Sequence, residues 1–265
     1  MEYKQIHIKA GLAKPVKILY MTDIHLTQAD GSDTLRLTEH AQKRTEVFRK
    51  EANYPEKTPS EFFEEGLAYG AAHCDVTVIT GDVFDFLSKA NFAEAKRIMD
   101  PYDYMFAAGN HEFCPRVGIQ ICQTLRTKLY EDVQSYFKGN MYFDHREIGG
   151  LNIVTIDDSL DYFEDAQCDK LEKVLENGLP TVVFFHVPLD DDYLCCRRVN
   201  PALVRTEEMN RATERMKTIL RESPQVLAVF AGHWHGFRDE KIVNGKPEYL
   251  MAGCFKGIAG EITVE

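Results

Sequence analysis

The chain has 265 residues, 44% of them apolar, and a net charge of −11. That is enough chain and apolar content for a sizeable core. The acidic excess argues against a protein that grips a nucleic-acid backbone by general electrostatics, but it leaves room for a small phosphorylated substrate in a locally positive site.

The opening stretch MEYKQIHIKAGLAK lacks the apolar centre of a signal peptide, and no apolar run is long enough to cross a bilayer. The first strand-like run is VKILYM (16–21), which leads into Thr22-Asp23-Ile24-His25. Residues 27–60 follow, polar and charged, with helical spacing over 34–51. This stretch reads as a solvated excursion carrying a helix, or as an insertion that covers a pocket. A second helical pattern, with Phe62, Phe63 and Leu67, spans 60–72.

The next runs repeat the theme. VTVIT (76–80) ends in Gly81-Asp82, with Asp85 soon after, and a helical pattern covers 91–99. YMFAA (104–108) ends in Gly109-Asn110-His111-Glu112, and helical spacing returns over 116–137. LNIVTI (151–156) runs into Asp157-Asp158 ahead of a helix at 165–176. TVVFF (181–185) meets His186, and a helix is expected over 205–221. VLAVFA (226–231) meets Gly232-His233-Trp234-His235. Short, near-continuously apolar runs are how strands buried on both faces read, and their alternation with helices implies an α/β domain. After Asn244-Gly245, a hairpin-type turn, EYLMAG and GIAGEITVE read as terminal antiparallel strands. No repeat or linker divides the chain, so residues 1–265 read as one domain.

Five of the nine histidines stand just beyond strand-like runs, together with Asp23, Asp82 and Asn110. Ligands of open α/β sheets bind at the carboxyl ends of the strands. So many nitrogen and oxygen donors exceed the four of a structural zinc and suit two metals sharing a carboxylate. His233 and His235, two residues apart, would point the same way in an extended stretch, with Trp234 turned aside to pack or to line the pocket. Other readings fail. His111-Glu112 begins like HExxH but meets Pro115, and no GxxxxGK[ST] loop occurs. Cys114 reads as a packed thiol, and Asp190-Asp191-Asp192 as a solvated acidic turn. The seven cysteines form no CxxC pair, which points to a reduced, cytoplasmic chain.

The ordered set DxH, GD, GNHE, H and GHxH over residues 16–236 resembles the calcineurin-like metallophosphoesterase family. The resemblance implies an α/β fold of two β-sheets packed as a sandwich between helices (four-layer αββα), with its metal site at the carboxyl ends of the strands. It implies that Asp23, His25, Asp82 and His235 hold one divalent metal and that Asp82, Asn110, His186 and His233 hold the other. Nitrogen and oxygen donors suit manganese, iron, zinc, nickel or cobalt. The implied reaction is phosphoester hydrolysis by a metal-bridging hydroxide, with His111 as general acid on a small metabolite or nucleotide-type substrate. Asp85 matches the family's GDxxD variant, in which it hydrogen-bonds the catalytic histidine; a helix N-cap is the alternative. Where purple acid phosphatases carry a tyrosine ligand, this chain has Asp85, which argues against an iron–tyrosinate centre. Arg116, Arg197 and Arg198 lie near motif loops as candidate phosphate contacts. A non-catalytic scaffold on the same fold and a metal-dependent nuclease are the competing functions.

Overall fold

The apolar strand runs divide their side chains between two interiors. In β2 (Val16–Met21), Ile18 and Tyr20 face one interior while Leu19 and Met21 face another. In β7 (Thr181–Phe184), Val182 and Phe184 share the interior of Ile18 and Tyr20, while Val183 faces a third. The same split holds in β8 (Val226–Ala231), with Ala228 and Phe230 on one side and Val229 and Ala231 on the other. Successive side chains of a strand point to opposite faces, so a strand apolar at every position needs apolar partners on both. Two sheets stacked face to face, each covered by helices on its outer face, meet that need.

The computed structural model describes residues 1–115, 122–190 and 205–265. One sheet has five strands in the order β1 (Glu2–Ile8), β11 (Ile258–Val264), β2, β3 (Val76–Thr80) and β4 (Met105–Ala107). The other has six, in the order β5 (Phe143–Ile148), β6 (Leu151–Ile156), β7, β8, β10 (Lys246–Leu250) and β9 (Arg238–Val243). Parallel pairing runs through β2–β3–β4 and through β6–β7–β8–β10, so these strands deliver their carboxyl ends to one rim. Helices α2 (Pro59–His73) and α3 (Lys89–Met99) build the interior outside the first sheet with Phe62, Phe63, Leu67 and Ile98, and Val133 of α4 (Gln123–Gln134) joins them. Helices α5 (Asp165–Leu175) and α6 (Glu207–Glu222) cover the second sheet with Leu171, Leu175, Met216 and Leu220. The architecture is therefore the four-layer αββα sandwich.

Local signals set the helix starts. Thr58 and Glu61 form a capping box ahead of Pro59 in the first turn of α2, and Ser88 accepts from the Asn91 amide at the start of α3. Helix α1 (Leu35–Glu51) lies within the 27–60 excursion, capped by Thr34 and burying only Ala41 and Phe48.

Three strands escape the apolar-run criterion. EYKQIHI (β1) and RDEKIV (β9) are edge strands with exposed charged residues, and FDHREI (β5) is an edge with Phe143 as its one buried side chain. The carboxyl-terminal pairing also differs from expectation. Asn244-Gly245 does turn a hairpin, but its arms are β9 and β10. EYLMAG pairs parallel to β8 on its other side, while β11 crosses to the first sheet, antiparallel to β2 and parallel to β1. A turn signal fixes only the strands flanking it, and the crossover depends on which sheet has an open place.

Candidate metal centre

The loops leaving the strand ends bend sharply. Asp23, His25, Asp82, His233 and His235 all have positive φ, between 50° and 66°. Such conformations cost non-glycine residues on the order of 1–3 kcal/mol each and persist where surrounding bonds over-determine them. Those bonds are present. The Asp23 and His25 amides donate to the Gly81 and Asp82 carbonyls at 3.1 and 2.8 Å. The His233 amide donates to Asp23 Oδ2 at 2.8 Å, and the His111 amide to Asp82 Oδ1 at 2.7 Å. Each carboxylate thus spends one oxygen on the backbone and keeps the other for the centre. The kinks also correct the extended reading of His233-Trp234-His235, because both histidines are left-handed and their rings reach different groups.

Asp23 Oδ1, His25 Nε2 and His235 Nε2 converge in one cluster, with His235 Nε2 3.3 Å from Asp23 Oδ1 and 3.0 Å from His25 Nε2. Asp82 Oδ2, His186 Nε2 and His233 Nδ1 form a second. Here His186 Nε2 is 3.3 Å from Asp82 Oδ2, 3.2 Å from Asn110 Oδ1 and 3.0 Å from His233 Nδ1. Asp82 Oδ2 is also 3.8 Å from His25 Nε2, so it faces both clusters. All seven residues expected as metal donors are therefore gathered at one rim.

The donor chemistry fits cations. Asp23 Oδ1 is buried and accepts no hydrogen bond, an expensive state unless a positive charge compensates it. Ring nitrogens meet in pairs at 3.0 Å, where at most one of each pair can donate a proton. The His186 tautomer is set from behind, because its Nδ1 donates to the Thr80 carbonyl at 2.7 Å, which turns the Nε2 lone pair inward. His25 Nδ1 lies 3.2 Å from Asp85 Oδ1, an ion-pair contact without a directed hydrogen bond. Burial disfavours charge on both rings, yet Asp23 and Asp85 at His25, and Asp82 at His186, prevail and draw each up to about 10. His233, buried and beside His186, is pushed down to about 3. Burial would raise the Asp82 carboxyl, but the surrounding histidines hold it well below the ordinary range.

The His111 ring stands beside His25 of the first cluster, with ring centroids 4.9 Å apart. Its Nδ1 donates to the backbone carbonyl of Asp85 at 2.7 Å, while the Asp85 carboxylate is 3.9 Å away. The hydrogen bond expected from the Asp85 side chain therefore comes from its main chain. That carboxylate instead takes the Arg44 fork, Nε to Oδ2 at 2.7 Å and Nη2 to Oδ1 at 2.8 Å. Nor is Asp85 an N-cap, a place taken by Ser88. Burial lowers the His111 pKa, opposed by Asp82.

Sequence reasoning missed several supports. Glu112, read only as the start of a failed HExxH, is buried and accepts the amides of Asp82, Val83 and Gly109, each at 2.7 Å, which ties two strand-end loops together. Burial, then Asp82, push its carboxyl up to about 7, against the pull of these amides. Asp158 accepts the amides of His186 and Val187 at 2.8 and 3.0 Å, and its place two residues beyond a strand run was the available signal. Gly232 is required because a Cβ would sit 2.0 Å from Thr22 Oγ1 and 2.6 Å from Asp23 Oδ2. Arg44 had no signal beyond an ordinary polar helix. Asp190 is a correction, since it is buried and ion-paired with Arg238 and Lys241 rather than solvated. Cys114 is a buried thiol, as expected, and Trp234 is 46% exposed. Arg116, Asp191, Asp192, Arg197 and Arg198 lie outside the described residues.

A two-sheet α/β sandwich that brings this donor set to one rim defines a metal-dependent phosphoesterase. The chain belongs to the calcineurin-like phosphoesterase family, whose model matches residues 16–237. It is accordingly a hydrolase of phosphoesters, and members of the family work with two divalent metals, for which the two clusters are suited. Among solved structures, a dimetal phosphatase from Danio rerio aligns with a TM-score of 0.53 at 15% identity, covering 91% of this chain and 88% of its own. A purple acid phosphatase from yellow lupin (Lupinus luteus) seeds aligns with a TM-score of 0.56 at 13% identity, covering 94% of this chain and 45% of the lupin protein. At these identities the likeness is one of fold. No curated protein matches the sequence. Among the described residues, no helix is long and apolar enough to cross a membrane.

Proposed function

We propose that the chain hydrolyses a small phosphorylated metabolite or nucleotide-type ester at a dinuclear centre. Asp23, His25, Asp82 and His235 hold one cation, and Asp82, Asn110, His186 and His233 the other. The observation that carries this reading is Asp82 Oδ2, which faces His186 Nε2 at 3.3 Å and His25 Nε2 at 3.8 Å. When bound, two divalent ions lower the pKa of a shared water toward neutrality and neutralise the phosphoryl oxygens. The protein's residues do the rest. Thr80 and Asp85 hold His186 and His25 with their donor atoms inward, and Glu112 fixes the loops that carry Asp82 and Asn110. His111, with its Nδ1–H committed to the Asp85 carbonyl, gives the leaving oxygen a proton from Nε2 when the ring is in its imidazolium form.

The mixed nitrogen and oxygen donors suit manganese, iron, zinc, nickel or cobalt. We read residues 1–265 as one metallophosphoesterase domain with 27–60 as a cap-like insertion, since Phe48 of α1 stacks on His25 with ring centroids 5.0 Å apart. Thiols rather than disulfides at Cys74, Cys114, Cys122, Cys168 and Cys254 support a reducing compartment, the cytoplasm. The test is turnover of p-nitrophenyl phosphate and bis(p-nitrophenyl) phosphate by protein reconstituted with manganese, nickel, zinc or iron. Hydrolysis of either ester with at least one metal is expected. A fully loaded protein inert toward both esters would contradict the proposal and favour a scaffold.

A further inference from the structure

The two clusters are alike in donors but not in what stands behind them. His186 is oriented by a neutral backbone carbonyl, that of Thr80. His25 faces a buried carboxylate, Asp85, and that carboxylate is held by an arginine from a helix otherwise mostly exposed to solvent. Asp85 Oδ1 accepts from Arg44 Nη2 at 2.8 Å and lies 3.2 Å from His25 Nδ1. The second arm of the fork, Nε to Oδ2 at 2.7 Å, stops the carboxylate from rotating away.

Helix α1 contributes a second contact one turn later. Phe48 lies four residues after Arg44, on the same helix face. Its ring stacks on the His25 imidazole at 24° and meets Phe255 at 4.5 Å. The Arg44 guanidinium carbon sits 4.8 Å from the Phe48 ring centre, so the two side chains brace each other. The helix is pinned beside the first motif by Thr45 Oγ1, 2.7 Å from Thr27 Oγ1. One helix face therefore fixes both the edge and the plane of His25, while His186 has no counterpart among these contacts.

We propose that Arg44 is a positioning residue for the first metal, setting the Asp85 carboxylate against His25 Nδ1 while Phe48 holds the imidazole plane. The role rests on the two-metal reading above. A fork-shaped donor is required, because the short ammonium of lysine offers no second arm in the same plane. Partners behind a metal-binding histidine typically govern about 10–100-fold in metal affinity. Among the described residues His25 is held this way and His186 is not, so the effect falls on one of the two bound ions.

The test is equilibrium dialysis of the full chain against Mn²⁺ alone, with bound metal counted by mass spectrometry, for wild type, Arg44→Met and Arg44→Lys. Wild type binds two ions. Arg44→Met binds one with wild-type affinity and the other about 10–100-fold more weakly, and Arg44→Lys lies between them. Should Arg44→Met fail to fold by circular dichroism, Arg44→Lys carries the test through selective weakening of one ion. Two wild-type affinities in a folded Arg44→Met, or in Arg44→Lys where Arg44→Met does not fold, overturn the role of Arg44 and leave the two-metal reading standing. A wild-type chain that binds fewer than two ions overturns both.

Discussion

Asp82 Oδ2 lies 3.3 Å from His186 Nε2 and 3.8 Å from His25 Nε2, so one carboxylate oxygen belongs to both donor clusters. Its partner Oδ1 accepts the His111 amide at 2.7 Å and cannot take over that place without breaking the bond. Asp82→Ala should therefore reduce turnover to background and lower the metal count below two per chain, read by mass spectrometry of dialysed protein. Full activity in the variant would remove Asp82 from the centre.

His111 is not one of the seven proposed donors, and its ring lies beside His25 and Asp85. His111→Ala should keep the wild-type metal count and lose about 10²–10⁴ in kcat, the usual worth of a positioned proton donor. The loss should grow as the leaving group becomes more basic. A series of aryl and alkyl phosphate esters checks this; a uniform loss across the series would assign His111 to binding instead.

Glu112 joins two loops through three buried amides. Glu112→Ala leaves those donors unpaired, at about 1–3 kcal/mol for each desolvated group. Urea unfolding should show a marked loss of stability, with Glu112→Gln milder because one acceptor oxygen remains. Wild-type stability in Glu112→Ala would mean that the loops close without it.

At Gly232 an added methyl collides with Thr22 Oγ1 and Asp23 Oδ2. The collision displaces the residue whose other oxygen faces the first cluster. Gly232→Ala should lower kcat/KM by about 10², the scale of a 1 Å misplacement. Unchanged kinetics would show that the loop relaxes without moving Asp23.

Cations bound to the folded chain alone stabilise it, by about 2.7 kcal/mol when free metal is a hundredfold above Kd. For a chain of this size that corresponds to roughly 5–10 °C in Tm. Chelation followed by Mn²⁺ addition should lower and then restore Tm by this amount in a thermal scan. An unchanged Tm would mean that no tight site exists.

The sequence was most legible where burial is two-sided. VKILYM, VTVIT, LNIVTI and VLAVFA fall on strands with these same bounds because their side chains enter two interiors at once. EYKQIHI, FDHREI and RDEKIV were missed because an edge strand needs little apolar surface, and β11 was misassigned because its place between β1 and β2 depends on the finished sheet. The seven donors were legible because each follows a strand end in a short motif. Their supports were not. Arg44 reaches the centre only through the tertiary fold, Asp158 offered no more than its place after a strand run, and the left-handed kinks at His233 and His235 leave no mark in a pattern that an extended strand would share.

The most direct measurement is anomalous diffraction from crystals grown with Mn²⁺. The account predicts two peaks roughly 3.5–4 Å apart with Asp82 Oδ2 between them, one beside His25 and His235 and the other beside His186 and His233. A single peak, or two that Asp82 does not join, would contradict it.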